Sequence, residues 1–222
     1  MLRLIDLELC RGDQILLSGI SLILREGEIL HITGPNGIGK TTLLRAICGF
    51  VLPERGELLW RGKPLREQGE AFLKELLYIG HLPALKGELT PVENLRPILK
   101  LYPCRSADIE GALREVGLSE QLEIPVRYLS AGQKQRVILA RLLLQEATLW
   151  VLDEPLTALD NAMASWLADR FRFHLREGGM VLLTSHHPLR DLSPIRLDLT
   201  AFTVNHQHQC HGGYQYGAGG GA

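Results

Sequence analysis

The feature that most constrains this chain is the octapeptide GPNGIGKT at residues 34–41, which has the pattern G-x-x-x-x-G-K-T. Its three glycines allow backbone conformations that a Cβ atom disfavours, so that successive N–H groups can turn towards phosphate oxygens. Lys40 adds a positive charge for the β- and γ-phosphates, and Thr41 offers a hydroxyl group to Mg²⁺. The octapeptide therefore predicts a nucleoside triphosphate site.

The segments on either side of this loop agree with that interpretation. Residues 27–33, GEILHIT, have the pattern of a buried strand, and residues 41–50, TTLLRAICGF, that of a helix with an apolar face. A phosphate loop requires this strand–loop–helix context, because the helix N-terminus directs its N–H groups at the anion.

Composition narrows the function further. The chain has 222 residues, with 24 Lys and Arg against 25 Asp and Glu, so no excess of positive charge indicates a nucleic-acid partner. No apolar run is long enough to span a bilayer, and the N-terminal MLRLIDLELC alternates like a strand rather than a signal peptide. We expect a soluble protein on the cytosolic side, without nucleic acid as a partner.

The first third of the chain is rich in strand patterns. Residues 2–9, 14–24 and 28–33 alternate or are apolar, and we expect them to form an N-terminal antiparallel β-lobe. A further strand is predicted at residues 56–60 and another at 76–80. The polar segment between them, 61–70, is predicted to be an exposed connection.

The rest of the chain alternates between helix and strand patterns. Helices are predicted near 91–101, 106–117 and 131–146, which indicates an inserted helical lobe over about residues 83–145. Apolar runs at 148–152 and 180–185 then flank a helical segment at 161–177. This alternation predicts an α/β fold with a mostly parallel core sheet.

The C-terminal segment has a different composition. From residue 201 the chain becomes polar and rich in glycine, which favours a disordered tail over residues 201–222. Its His206, His208, Cys210 and His211 could bind a metal ion, but we favour a solvated tail because no second ligand pair with matching spacing is present.

Four further segments follow the phosphate loop in a distinctive order: LSAGQKQR at 129–136, LWVLDEP at 149–155, TALD at 157–160 and TSHH at 184–187. The apolar run before Asp153 predicts a strand that brings this carboxylate to Mg²⁺. Glu154, next to it, can orient and deprotonate the attacking water.

Over residues 1–200 these motifs resemble the nucleotide-binding domain of ATP-binding cassette (ABC) proteins. The resemblance implies a P-loop NTPase fold of ABC type that binds ATP and Mg²⁺. It assigns the Walker A loop to Gly34, Pro35, Asn36, Gly37, Ile38, Gly39, Lys40, Thr41 and Thr42. It makes Asp153 the Walker B aspartate, Glu154 the catalytic carboxylate and His186 the switch histidine that contacts the γ-phosphate.

The same resemblance assigns the signature motif to Ser130, Ala131, Gly132 and Gln133, with alanine in place of a usual glycine. It implies that a second copy of the chain binds head to tail, so that two ATP molecules lie between the Walker A loop of one copy and the signature motif of the other. The residues agree with this role, because Ser130 has the position of an N-cap and a helix N-terminus attracts anions.

Two positions depart from the family pattern. Arg11 stands where an aromatic residue usually stacks on adenine, so stacking would come from the guanidinium plane or be absent. His81 stands where a glutamine usually contacts Mg²⁺ and links the site to the membrane subunit. Both a structural and a functional role for His81 remain open.

Within the family, the segments LLYIGHLPALKGELTPVENL and LSAGQKQRVILARL resemble the ATP-binding subunits of the cytochrome c maturation system, or heme exporter. The resemblance implies a peripheral subunit on integral membrane partners, at the cytoplasmic side of the cell inner membrane. ATP hydrolysis would there drive heme export or release of a heme-loaded chaperone, with heme involved only indirectly. The alternatives are the ATPase subunit of another ABC transporter, a soluble non-transport ABC ATPase and an ATP-binding regulatory module.

Overall fold

The computed structural model describes residues 1–81, 84–186 and 192–204. The described strands are, in chain order, β1 (Leu2–Arg11), β2 (Gln14–Leu24), β3 (Ile29–Thr33), β4 (Arg55–Trp60), β5 (Lys63–Pro64), β6 (Leu76–Ile79), β7 (Leu149–Asp153), β8 (Met180–Thr184) and β9 (Ile195–Asp198). The described α-helices are α1 (Lys40–Ile47), α2 (Gly69–Glu75), α3 (Pro91–Leu95), α4 (Ile98–Leu101), α5 (Ile109–Glu115), α6 (Ala131–Leu139), α7 (Arg141–Leu144) and α8 (Asn161–Arg176).

A parallel sheet forms the centre of the described structure, with strand order β6-β7-β8-β3-β9. Strands β7 and β8 are buried at every residue, and β3 at every residue except its last. Such strands lack polar alternation because both faces of the sheet are covered. Their carboxyl ends lie at one edge, so residues that follow β3, β7 and β8 are brought together.

Two apolar cores cover the two faces of this sheet. On one face, Leu30 and Val151 pack with α1 and the strands of the N-terminal lobe. On the other, Trp150 and Leu183 pack with helices α5, α6 and α8. The sheet is therefore held rigidly between two layers, which fixes the positions of the loops at its carboxyl edge.

The N-terminal lobe is an antiparallel sheet of order β2-β1-β4-β5. The sequence grouped residues 28–33 with this lobe, and that part of the prediction was wrong, because β3 pairs in parallel with β8 and β9. The sequence also predicted an exposed connection at 61–70. The structure instead has β5, a 3₁₀ turn at Leu65–Glu67 and the start of α2, with Leu65 and Phe72 buried.

The predicted helical lobe is present but its helices are shorter than expected. The helix predicted at 91–101 is divided into α3 and α4 at Pro97, which has no N–H group to continue the hydrogen-bond pattern. The helix predicted at 131–146 is likewise divided, into α6 and α7 at Ala140. Thr90 caps α3 with a capping box in which Glu93 is the partner.

The folded part of the chain continues past residue 200. Leu199–Phe202 form a 3₁₀ turn in which Leu199 is fully buried, and Thr203 pairs with Leu17 of β2. The candidate metal-binding residues of the tail, at 206–211, lie outside the described residues. Among the described helices, the longest has 16 residues and none has the length and apolarity that a bilayer span requires.

Candidate functional site

The phosphate loop leaves β3 at Thr33 and enters α1 at Lys40, as the sequence predicted. Gly39 is the N-cap of α1 and has φ 118°, a conformation that residues with a side chain rarely adopt. A Cβ atom there would lie 2.9 Å from Leu17 Cδ1, so a side chain would also force Leu17 of β2 to shift. The first N–H groups of α1 have no intrahelical acceptor and are available to an anion.

Lys40 folds back over this loop. Its Nζ atom donates a hydrogen bond to the carbonyl oxygen of Gly34 at 2.7 Å and lies 3.5 Å from that of Pro35. The ammonium group is therefore held above the same loop whose N–H groups face the anion site. This places a full positive charge where phosphate oxygens would bind.

The acidic pair lies at the carboxyl end of β7, at the same edge of the sheet, with Asp153 as the last residue of the strand and Glu154 directly after it. Asp153 is 3% exposed, and both of its carboxylate oxygens accept short hydrogen bonds. Thr41 Oγ1 donates to Oδ2 at 2.7 Å, and Thr184 Oγ1 donates to Oδ1 at 2.7 Å. The structure thus joins the phosphate loop to Asp153, although 111 residues separate Thr41 from Asp153 in the chain.

Glu154 has a backbone φ of 54°, which is uncommon for a residue other than glycine. Its N–H group donates to Thr184 Oγ1 at 2.9 Å, and its Oε2 accepts from the backbone N–H of His186 at 3.2 Å. Glu154 Oε1 is buried and has no hydrogen-bond partner among the described residues, although His186 Nε2 lies 3.5 Å away. A buried carboxylate oxygen without a partner is suited to accept a proton from a bound water.

His186 connects this carboxylate to the phosphate loop. Its Nε2 lies 3.1 Å from Asn36 Oδ1, so the imidazole spans from Glu154 to the loop. His31 of β3 supports the segment from below, because its Nε2 donates to the carbonyl oxygen of Ser185 at 3.0 Å. The structure therefore places the predicted switch histidine between the acidic pair and the phosphate loop, and its contact with a γ-phosphate stays a prediction.

The two departures from the family pattern differ in what surrounds them. The Arg11 guanidinium donates to the carbonyl oxygen of Gly37 at 3.0 Å, which places it beside the phosphate loop. His81 is exposed beyond the end of β6 and makes no hydrogen bond or ion pair with another residue that the structure describes. The contact of Arg11 agrees with a role in nucleotide binding. A functional role for His81 stays a prediction.

The signature residues form a second surface. Ser130 caps α6 with a capping box, in which Ser130 Oγ accepts from Gln133 N at 3.2 Å and Gln133 Oε1 accepts from Ser130 N at 2.9 Å. A Cβ atom on Gly132 would lie 2.8 Å from the carbonyl oxygen of Ala158. Three of the four signature residues, Ser130, Gly132 and Gln133, line an open cavity of about 610 Å³, whose lining includes none of the phosphate-loop residues.

Comparison with known proteins agrees with this geometry. Residues 17–157 match the family described as ABC transporter. The cytochrome c biogenesis ATP-binding export protein CcmA of Methylococcus capsulatus is 48% identical over 186 residues, which cover 82% of this chain and 89% of that protein. The proteins of the same name from Aromatoleum aromaticum and Pseudomonas aeruginosa are 47% and 46% identical, over 84% and 85% of this chain and 88% and 94% of theirs. The chain belongs to the CcmA family of ABC transporter ATP-binding proteins.

Solved structures confirm the fold of this CcmA-family chain. A putative ABC transporter ATP-binding protein from Pyrococcus furiosus aligns with a TM-score of 0.78 at 27% identity, covering 91% of this chain and 99% of that one. A dimeric ATP-binding cassette in a post-hydrolysis state, bound to ADP and Pi, aligns with a TM-score of 0.72 at 25% identity, over 84% and 88% of the two chains. The predicted α/β fold of ABC type is confirmed, and the chain is an ATP-hydrolysing subunit of an ABC-type transporter.

Sequence reasoning missed one residue of the CcmA-family site. Thr184 was part of the TSHH segment, but only His186 was assigned a role there. The signal that could have found it is a hydroxyl residue at the carboxyl end of an apolar strand, where parallel strands place functional groups. Its partners could not be known without the order of the strands.

Proposed function

We propose that this chain is the ATP-hydrolysing subunit of a membrane ABC complex for cytochrome c maturation. ATP hydrolysis would be coupled there to heme export or to release of a heme-loaded chaperone. The relatives that are 46–48% identical to it, over 82–85% of this chain, are named cytochrome c biogenesis ATP-binding export proteins. The observation that carries the proposal is the contact of Thr41, Asp153, Glu154 and His186 at one edge of the parallel sheet.

In this proposal ATP binds with its phosphates on the loop at residues 34–42. The N–H groups at the start of α1 and the Lys40 ammonium would neutralise the β- and γ-phosphate oxygens. Arg11, beside Gly37, would lie near the base or the ribose, and its planar guanidinium can stack on a purine without selecting adenine strictly.

The residues around Asp153 fit a magnesium ion. Mg²⁺ prefers hard oxygen ligands from few protein groups, and the hydroxyl of Thr41 and the carboxylate of Asp153 already lie 2.7 Å apart. These two side chains would hold the ion, which when bound neutralises charge on the β- and γ-phosphates. His81 would contribute to this region only after a movement, since it has no contact there with the described residues.

Glu154 is the base in this mechanism. Its Oε1, which accepts no hydrogen bond from the described residues, would accept a proton from the attacking water as the oxygen of that water bonds to the γ-phosphorus. The bond between the γ-phosphorus and the bridging oxygen then breaks, which yields ADP and inorganic phosphate. His186, already linked to Glu154 and Asn36, would exchange its bond to Asn36 for one to the γ-phosphate.

The catalytic unit is proposed to be a dimer with a second copy of the chain. Ser130, Gly132 and Gln133 line an open cavity that the phosphate loop of the same chain does not reach, so they are free to meet the nucleotide of the partner. The N-terminus of α6 would direct its dipole at that nucleotide. One solved relative in fold is itself dimeric and bound to ADP and Pi.

The chain is further proposed to bind integral membrane subunits as a peripheral protein, on the cytoplasmic side of the cell inner membrane. Heme would be handled by those partners, since the chain has no Cys-x-x-Cys-His heme attachment motif. The relatives' name, export protein, supports a membrane role.

A complementation experiment tests the proposal. The chain would be expressed, with an affinity tag, in bacteria that lack their own cytochrome c biogenesis ATP-binding export protein but keep its membrane partners. We expect the wild type to restore c-type cytochromes and to co-purify with membrane subunits in detergent. Glu154→Gln should co-purify equally and restore nothing. Restoration by Glu154→Gln, or a wild type that purifies without membrane subunits, would refute this function.

A further inference from the structure

Thr184 occupies a central place in the sheet. It is the last residue of β8, and β8 lies between β3, which leads into the phosphate loop, and β7, which ends at Asp153. In register, Thr184 is level with Ile32 on one side and with Asp153 on the other. Its side chain is fully buried, so no solvent competes for its hydroxyl group.

The hydroxyl of Thr184 makes two bonds whose directions are fixed by chemistry. The backbone N–H of Glu154 can only donate, and it lies 2.9 Å from Oγ1. An ionised Asp153 carboxylate can only accept, and its Oδ1 lies 2.7 Å from the same oxygen. The Thr184 hydroxyl therefore accepts a hydrogen bond from the backbone of Glu154 and donates one to the side chain of Asp153.

These two bonds act on the two residues that need the most precise placement. Glu154 has a left-handed backbone conformation, which costs free energy unless neighbouring contacts hold it. Asp153 is also bonded to Thr41, but Thr41 is itself a candidate ligand of the metal ion. Of the two threonine hydroxyl groups bonded to Asp153, the one of Thr184 has no other assigned role.

We propose that Thr184 is a positioning residue for ATP hydrolysis. Its hydroxyl sets the orientation of the Asp153 carboxylate relative to Glu154, and so aligns the proposed base with the phosphate site. The proposal rests on the function proposed above, because it requires Asp153 and Glu154 to have the roles given there. Loss of the hydroxyl should slow hydrolysis and leave ATP binding almost unchanged, since no phosphate-loop residue bonds to Thr184 among the described residues.

The test compares Thr184→Val, which keeps the shape and removes the hydroxyl, with Thr184→Ser, which keeps the hydroxyl. Steady-state kinetics of the full chain should show kcat reduced by about 10- to 100-fold in the valine variant, as for other residues that orient catalytic ligands. KM for ATP should change little, and the serine variant should recover most of the rate. Equilibrium binding of a fluorescent ATP analogue gives a readout that does not depend on turnover.

Thermal unfolding of each variant shows whether the folded state is retained, and Thr184→Ala takes the place of the valine variant if that one does not fold. In a Glu154→Gln background, the valine substitution should cause little further loss, because the base that it positions is already absent. Equal rates in the wild type and the valine variant would overturn the proposal. So would equal losses in the valine and serine variants, or a loss of ATP affinity that accounts for the loss of rate. A wild type without ATP hydrolysis would instead refute the proposed function, and this inference with it.

Discussion

Replacement of His174 by phenylalanine is expected to remove an acid-dependent loss of stability. His174 lies in the last turn of α8 and is 2% exposed. Its ring stacks on Trp150 with centroids 3.8 Å apart and planes 5° from parallel, and its Nε2 lies 3.2 Å from the carbonyl oxygen of Thr148. Burial is the main reason that the pKa of His174 falls from 6.5 to about 4; the positive charge of Arg105 also lowers this pKa, and hydrogen bonds to the backbone of Thr148 and Met180 partly oppose the shift.

The direction in which the unfolding free energy changes with pH follows from the number of protons bound in the folded and unfolded states. In the unfolded chain His174 takes up a proton near pH 6.5, whereas in the folded chain it does so only near pH 4. The unfolded state therefore binds more protons between these values, and the free energy of unfolding falls as the pH falls through this interval. The pKa difference corresponds to about 3 kcal/mol in all, of which about 2 kcal/mol is lost between pH 7 and pH 5.

Urea unfolding at several pH values measures this effect. The difference in unfolding free energy between the wild type and His174→Phe should shift by about 2 kcal/mol in favour of the variant between pH 7 and pH 5. Above pH 7 it should be constant, because His174 is then neutral in both states. His81→Gln is the matched control, since His81 is exposed and should not alter the pH dependence in this way. A His174→Phe variant whose stability has the same pH dependence as the wild type would refute this reasoning.

Two further predictions concern the site. Gly132→Ala should force α6 away from the carbonyl oxygen of Ala158 and reduce ATP-driven dimer formation, measured by sedimentation in the Glu154→Gln background, whereas the exposed Ala131→Gly should not. A Gly132→Ala protein that dimerises like its parent would show that this surface is not the interface. His81→Gln should keep ATP turnover and His81→Ala should lose it, if His81 acts where the family has glutamine. Equal turnover in both variants would assign His81 a structural role.

Local patterns in the sequence predicted most of the elements that carry the site. The phosphate loop, the strand before Asp153 and the helix capped by Ser130 were found because each combines a buried run with a specific end signal. Short elements were missed where the pattern is weak. Helix α2 lies in a polar segment with Phe72 as its one buried side chain, and such a segment has the composition of a loop.

The sequence could not predict which sheet a strand joins. Residues 28–33 follow β2 after a short turn, and a strand in that position usually continues the same antiparallel sheet. Pairing with β8 and β9 depends on residues that are 150 or more positions away, and no local pattern records it. For the same reason the role of Thr184 became visible only when β8 was found between β3 and β7.

Separation of ATP binding from ATP hydrolysis tests the central claim most directly. ATP binding and single-turnover hydrolysis would be measured on the wild type, Lys40→Ala and Glu154→Gln. We expect Lys40→Ala to lose ATP affinity, because the loop loses its ammonium group. Glu154→Gln should bind ATP like the wild type and hydrolyse it at least about 100-fold more slowly, because only the base is removed. Equal loss of ATP affinity in both variants, or wild-type hydrolysis by Glu154→Gln, would contradict the account.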